Sequence, residues 1–207
     1  MTKQATDYFS ATTFNKEATV AGNELDITPC DYFESPSGIG FVHNLESGID
    51  DRLSKADVLY SDLPWEQGFN LFYESARVAQ GVTYPEFLAG IRDEILRLDK
   101  PTLLPIGNKA LKIMQPDTAG TVILNRKEVR LALWGIKDTW GRINVIDILH
   151  DLAETYDTIG DFACGYGRSG RIFVEHEKQF VMSDFNPHCI GFVKQALPKW
   201  KENLWRS

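Results

Sequence analysis

"DFACGYGRSGRIF", Asp161 to Phe173, sets Gly165, Gly167 and Gly170 at the spacing G-x-G-x-x-G, and Asp184 follows at nearly the distance at which a dinucleotide-binding strand carries its acid. Glycine at such positions lets backbone turn sharply and approach a partner closely. On this stretch alone the occupant stays open. NAD satisfies the pattern letter for letter, other cofactors use the same turn, and a tight strand-to-helix turn with no ligand also accounts for it. The flanking residues narrow the choice. "DTIGDFAC" before the glycines and "QFVMSD" after them read as strands bracketing a helix, with only about forty residues beyond the turn. A dinucleotide fold needs a further mononucleotide half beyond its glycine turn, and the reading expects none here. An acid just ahead of the turn, Asp161, also suits a cationic ligand better than a pyrophosphate.

Working outward, "GIGFVHN", "ADVLYSD" and "PTLLPIG" are short apolar runs with strand character. "TYPEFLAGIRDEILRLDK" spaces Phe87, Leu88, Ile91, Ile95, Leu96 and Leu98 as one face of a helix, with Pro85 in its first turn. "NKALKIM", "INVIDILHDLAETY" and "PHCIGFVKQAL" are further helices. "TVIL" and "VRLALW" flank Asn125 to Glu128 as a hairpin at a sheet edge. This alternation predicts an α/β fold: a single Rossmann-like domain over 36–207, its mostly parallel sheet covered by helices on both faces. The polar residues 1–35 read as a partly flexible arm.

The chain of 207 residues, 43% hydrophobic and 25% charged, is long enough for one ordinary core. No apolar run approaches the roughly 20 residues that cross a bilayer, and the N-terminus lacks a secretion signal, so a cytoplasmic setting without membrane contact is expected. Cys30, Cys164 and Cys189 are odd in number and lack metal-ligand spacing, which predicts buried thiols rather than disulfides or a metal site. The net charge of −7 argues against nucleic acid, but its distribution does not. Between Lys100 and Arg142 eight basic residues face three acids, so this stretch carries +5 and the remainder −12. Arg126, Lys127 and Arg130 are the candidate phosphate contacts, although a merely solvated basic face has the same composition.

A second dense stretch is Ser61-Asp62-Leu63-Pro64-Trp65, directly after a strand. A carboxylate at a strand's C-terminal end, a proline that exposes a carbonyl without a competing N–H, and an aromatic ring can grip a flat base. The carboxylate and carbonyl accept both hydrogens of an exocyclic amine while the ring stacks. Ligands of open α/β sheets bind at this edge. A strand-ending turn with a core tryptophan fits the same residues, and Asp184 taken alone fits a helix cap. Trp134, Trp140, Trp200 and Trp205 read as packing.

Together these residues resemble the amino-directed DNA methyltransferases that use S-adenosylmethionine. Asp62-Leu63-Pro64-Trp65 is similar to that family's Asp-Pro-Pro-aromatic word; Asp161-Phe162-Ala163-Cys164-Gly165-Tyr166-Gly167 is similar to its cofactor loop; Asp184-Phe185-Asn186-Pro187 is similar to the acid and Asn-Pro that end its next strand. The catalytic word precedes the cofactor loop, as in the permuted β-group order. The resemblance covers roughly Gly40 to Leu197. Leu63 stands for the usual first proline, and Phe162 and Ala163 for Pro and Phe.

The resemblance implies that Asp161, Phe162, Ala163, Cys164, Gly165, Gly167, Asp184, Phe185 and Asn186 seat the cofactor, with Asp161 toward the ammonium and Asp184 toward the ribose hydroxyls. His43 or Asn44, ending "GFVHN", stands where the family often has a further cofactor acid. It implies methyl transfer to an exocyclic amine, and the leading Asp62 favours adenine N6 over cytosine N4, where the family more often shows Ser. A large target-recognition insertion is missing from the place it usually takes, Gly135 to Arg142, so sequence selectivity is expected to be weak or supplied by a second copy or another protein. Three alternatives stay open: a silent binding subunit of the same fold, an RNA or small-molecule methyltransferase, and an NAD-dependent enzyme.

Overall fold

The protein, seen in a computed structural model, is described over residues 27–70, 73 and 80–202. The arm's first 26 residues and Trp205 lie outside the described residues. Eight strands form one sheet: β1 (Tyr32–Ser35), β2 (Gly38–Val42), β3 (Val58–Tyr60), β4 (Thr102–Ile106), β5 (Thr118–Leu124), β6 (Lys127–Trp134), β7 (Thr158–Asp161) and β8 (Gln179–Asp184). Their spatial order is β1-β2-β8-β7-β3-β4-β6-β5, with the five strands from β2 to β4 mutually parallel and antiparallel pairs at both flanks.

The parallel strands are buried on both faces and so read as continuous apolar runs. Along β3, Val58 and Tyr60 face one core while Leu59 faces the other. The first core is closed by α3 (Val145–Thr155), α4 (Arg168–Glu175) and α5 (Pro187–Glu202), the second by α1 (Tyr84–Leu98) and α2 (Asn108–Met114). Two of the helices begin at caps that the sequence supplies. Thr83 and Glu86 form a capping box ahead of α1, and the Asn144 side chain accepts from the Ile146 N–H ahead of α3.

The sheet is α/β with helices on both faces and an edge hairpin, as the alternation predicts. Two features differ from the reading. Tyr32–Ser35, taken as arm, pairs with β2 as an edge strand, and Phe33 packs over Gly40, where any side chain would collide with its ring. The strands beyond β7 come from chain that precedes the glycine turn, so the short stretch after the turn does not limit the sheet. The contrast with a dinucleotide fold lies in β6 and β5, an antiparallel pair where that fold continues with parallel strands. Among the described residues no helix is long and apolar enough to cross a membrane.

Candidate active site

Parallel strands bring their C-terminal ends to one edge, and there the separated motifs meet. Tyr60 pairs with Asp161, Asp161 with Met182 and Val42 with Asp184, so the ends of β3, β7, β8 and β2 stand side by side.

Asp161 ends β7 at 3% exposure. Its carboxylate accepts from the Ala163 N–H at 3.2 Å and from the Ser169 hydroxyl in α4, which ties the strand to the helix across the turn. Burial pushes its pKa up to about 7; these bonds and the Ser61 hydroxyl, which makes no bond of ordinary length, oppose the rise, and the Asp184 charge adds to it. Asp184 accepts from the Gly165 N–H and the Asn186 N–H, each at 2.9 Å, and burial raises it to about 6. Asn186 in turn accepts from the His188 N–H at the start of α5. The acid thus joins the glycine turn to the next strand's own turn.

The three glycines answer different needs. Gly165 has φ +52° and nothing within 4 Å of where a Cβ would stand, so its backbone borders open room. Gly167 has φ +73°, and a Cβ there would lie 2.8 Å from Val193 and 2.9 Å from Trp200. Gly170 seats α4 against Met182 of β8. Phe162, Ala163, Cys164 and Phe185 are buried beneath the turn. Burial raises the Cys164 and Cys189 thiols far above their ordinary value, and Cys30 is half-buried and unbridged.

Asp62 lies just past β3 and meets solvent, yet the cleft around it pushes its carboxyl up to about 6, opposed by the Arg168 charge and by the Trp65 side chain. Arg168, the first residue of α4, also acts on Tyr60, which places a cation among the acids of the site. In the sequence it occupies a free position of the glycine pattern, and so carries no signal of its own. Leu63 turns into the second core at 3% exposure, and Phe162 and Ala163 join it there, so the departures from the family's words are core residues. Trp65 is 39% exposed and stands over Gly107.

At the end of β2 the polar residues have local duties. The Asn44 side chain accepts from the Glu46 N–H to cap a 3-10 turn, and the His43 ring bonds the Gly48 carbonyl and faces Asp50. The hairpin turn is Asn125-Arg126, both with positive φ, and Arg126 and Lys127 are exposed at its tip, beyond the same sheet edge. Arg130 sits further in. With Trp65 it lines a groove of about 280 Å³, together with Ile106, Gly107, Thr121 and Glu128. Of the other basic residues, Lys109 and Arg142 are paired with Glu66 and Glu128. Trp134 and Trp200 are buried in the cores.

With a glycine turn at a central strand and an antiparallel hairpin at one flank, the sheet forms a Rossmann-like α/β fold. Two solved structures share it. That of M1.HpyAVI in complex with SAM (S-adenosylmethionine) matches with a TM-score of 0.50 at 10% identity, covering 77% of this chain and 98% of that one. A candidate DNA modification methylase from Thermus thermophilus matches with a TM-score of 0.50 at 10% identity, covering 71% of this chain and 88% of that one. No protein-family model and no curated protein matches the sequence.

Proposed function

We propose that the protein is a methyltransferase that uses S-adenosylmethionine and acts on an exocyclic amine, N6 of adenine in DNA. The observation that carries this is the convergence, at one sheet edge, of the Asp161–Gly167 turn, Asp184 and the Asp62-Leu63-Pro64-Trp65 word. The strand order supports the permuted reading, because both late strands, β7 and β8, lie inside the sheet between earlier ones. A shared fold with the SAM complex of M1.HpyAVI supports the cofactor.

The residues present fit that cofactor. Gly165 leaves room beside its backbone, and two buried acids stand behind the turn, where a cation is favoured and a pyrophosphate is not. Asp184 retains acceptor capacity on both oxygens for a pair of hydroxyls. In this reading Phe162, Ala163, Cys164, Phe185 and Asn186 shape the floor, while the Asn44 side chain serves its local cap. S-adenosylmethionine supplies a methyl group on a sulfonium centre. The protein's part is to make a poor nucleophile react. Asp62 and the carbonyl of Leu63 or Pro64 accept the two amine hydrogens, which favours a pyramidal nitrogen with its lone pair toward the methyl, while Trp65 holds the ring for in-line attack. With the cofactor bound, the nitrogen would take the methyl as the methyl–sulfur bond breaks to leave a thioether, and Asp62 would relay the released proton to solvent. In a duplex the base is first flipped out. Arg126 and Lys127, at the hairpin tip, are suited to the phosphates.

Incubation with labelled S-adenosylmethionine and mixed DNA and RNA, followed by mass spectrometry of the nucleosides, tests this. N6-methyladenine in DNA is expected. N4-methylcytosine would move the target, and labelled RNA would move the substrate. Cofactor binding without any labelled product would favour the silent subunit.

A further inference from the structure

The groove beyond Trp65 sets a guanidinium beside an exposed aromatic ring. Ile106, Arg130 and Thr121 are direct cross-strand partners on β4, β6 and β5, so their side chains form one row on one face. Ala132 and Trp134, further along the same face of β6, are buried; Arg130 is where that row reaches the sheet edge. Its Nη1 lies 3.4 Å from the Thr121 hydroxyl, and its Nε is buried with no hydrogen-bond partner. The Nε is enclosed, so an acceptor entering the groove can reach the guanidinium only through its Nη groups.

The rest of the lining says what kind. Ile106 and Gly107 line the groove beside the polar Asn108 and Thr121, and Trp65 gives an exposed aromatic wall. Glu128 stands on the rim of the same groove. Its carboxylate is held by Arg142 at 2.6 Å, so the feature that favours a flat heterocycle here is the exposed Trp65 ring beside the guanidinium. Along the sheet edge the glycine turn lies at β7 and β8, the Asp62 word at β3, and this groove at β4, β6 and β5, so it stands on the side of the target word away from the turn.

Building on the reading that Asp62 and Trp65 hold a target base, we propose that this groove takes the base next to the target in the strand, and that Arg130 reads it as guanine. Guanine presents two neighbouring acceptors that match the guanidinium fork, a pairing that favours it over the other bases. Arg130 is then a specificity residue rather than a phosphate contact, and selectivity is confined to a short context, in keeping with the small space between Gly135 and Arg142.

Equilibrium binding of labelled oligonucleotides tests this without requiring catalysis. Each carries one unpaired adenine with each of the four bases in turn on its 5′ and 3′ sides, and the protein is the parent, Arg130→Lys, Arg130→Ala or the double variant Arg126→Glu, Lys127→Glu. The parent should bind one guanine-flanked oligonucleotide roughly tenfold more tightly than the others, within the range such a bidentate pairing gives. Arg130→Lys, which keeps the charge and loses the fork, and Arg130→Ala should bind every oligonucleotide of the set alike, while the hairpin-tip variant should weaken all of them and keep the preference. A parent with no flanking preference, or a preference that survives in both Arg130 variants, overturns the proposal. A guanine preference in a protein that methylates none of these strands would overturn the methyl-transfer reading and leave the groove assignment standing.

Discussion

Asp161 and Asp184 have carboxyl pKa values raised to about 7 and about 6, chiefly because the protein around them withholds water from the charge. For Asp161 and Asp184, which are almost fully enclosed, the consequence for stability runs opposite to the usual acidic residue. In the unfolded chain such groups titrate near 3.9, so between about pH 4 and 7 the folded protein binds more protons than the unfolded one, and its stability falls as pH rises through that window. Bound to a cationic ligand, the same acids are held ionised, so affinity for S-adenosylmethionine should fall as pH drops below about 7. Asp161→Asn keeps an acceptor for the Ala163 N–H and removes the buried charge. We expect it to raise the melting temperature of the ligand-free protein at pH 8 by roughly 2–4 °C, the effect of about 1 kcal/mol on a chain of this size, and to flatten the loss of stability between about pH 4 and 7. It should also weaken the cofactor. An unchanged pH slope would show that Asp161 is ionised at little cost.

The turn between β7 and α4 separates two uses of glycine. Gly165 borders open room and Gly167 is hemmed in by Val193 and Trp200, although both have positive φ. Asparagine tolerates the left-handed region, so Gly165→Asn should melt close to the parent temperature yet lose most cofactor binding by filling the space its backbone borders. Gly167→Ala meets both a forbidden backbone and an occupied site, and should destabilise by about 2 kcal/mol or more. Equal melting temperatures for the two variants would mean that the turn is not divided in this way. These glycines were legible as a close approach because their spacing is local, and so were the strands and helices around them, whose periodicity is local too. Asp161 to Ser169 was not legible, since nothing in the sequence ties an acid to a hydroxyl across a turn, and neither was β1, four residues whose partner strand alone makes them a strand. The groove at Arg130 was hidden for the same reason. It is assembled from β4, β5, β6 and Trp65, which only the sheet order brings together.

On the scale of the whole molecule, the charge asymmetry of the sequence acquires a direction. The basic hairpin tip projects beyond the edge that carries the candidate site, while Lys109 and Arg142 are offset by neighbouring acids, so a polyanion would be steered by a few residues at one flank rather than by a broad face. Across that edge β7 and β8 are proposed to hold the cofactor and β3 the base, and a single substitution can pull the two roles apart. The direct measurement is N6-methyladenine formed from DNA by the parent and by Asp62→Ala, at saturating S-adenosylmethionine, with cofactor affinity measured on the same samples by calorimetry. Loss of Asp62 removes an acceptor for the amine and leaves the glycine turn intact, so methyladenine formation should fall by roughly a hundredfold or more, on the scale of lost transition-state contacts, while cofactor affinity should change less than about threefold. Full methyl transfer to adenine by Asp62→Ala would contradict the proposed roles.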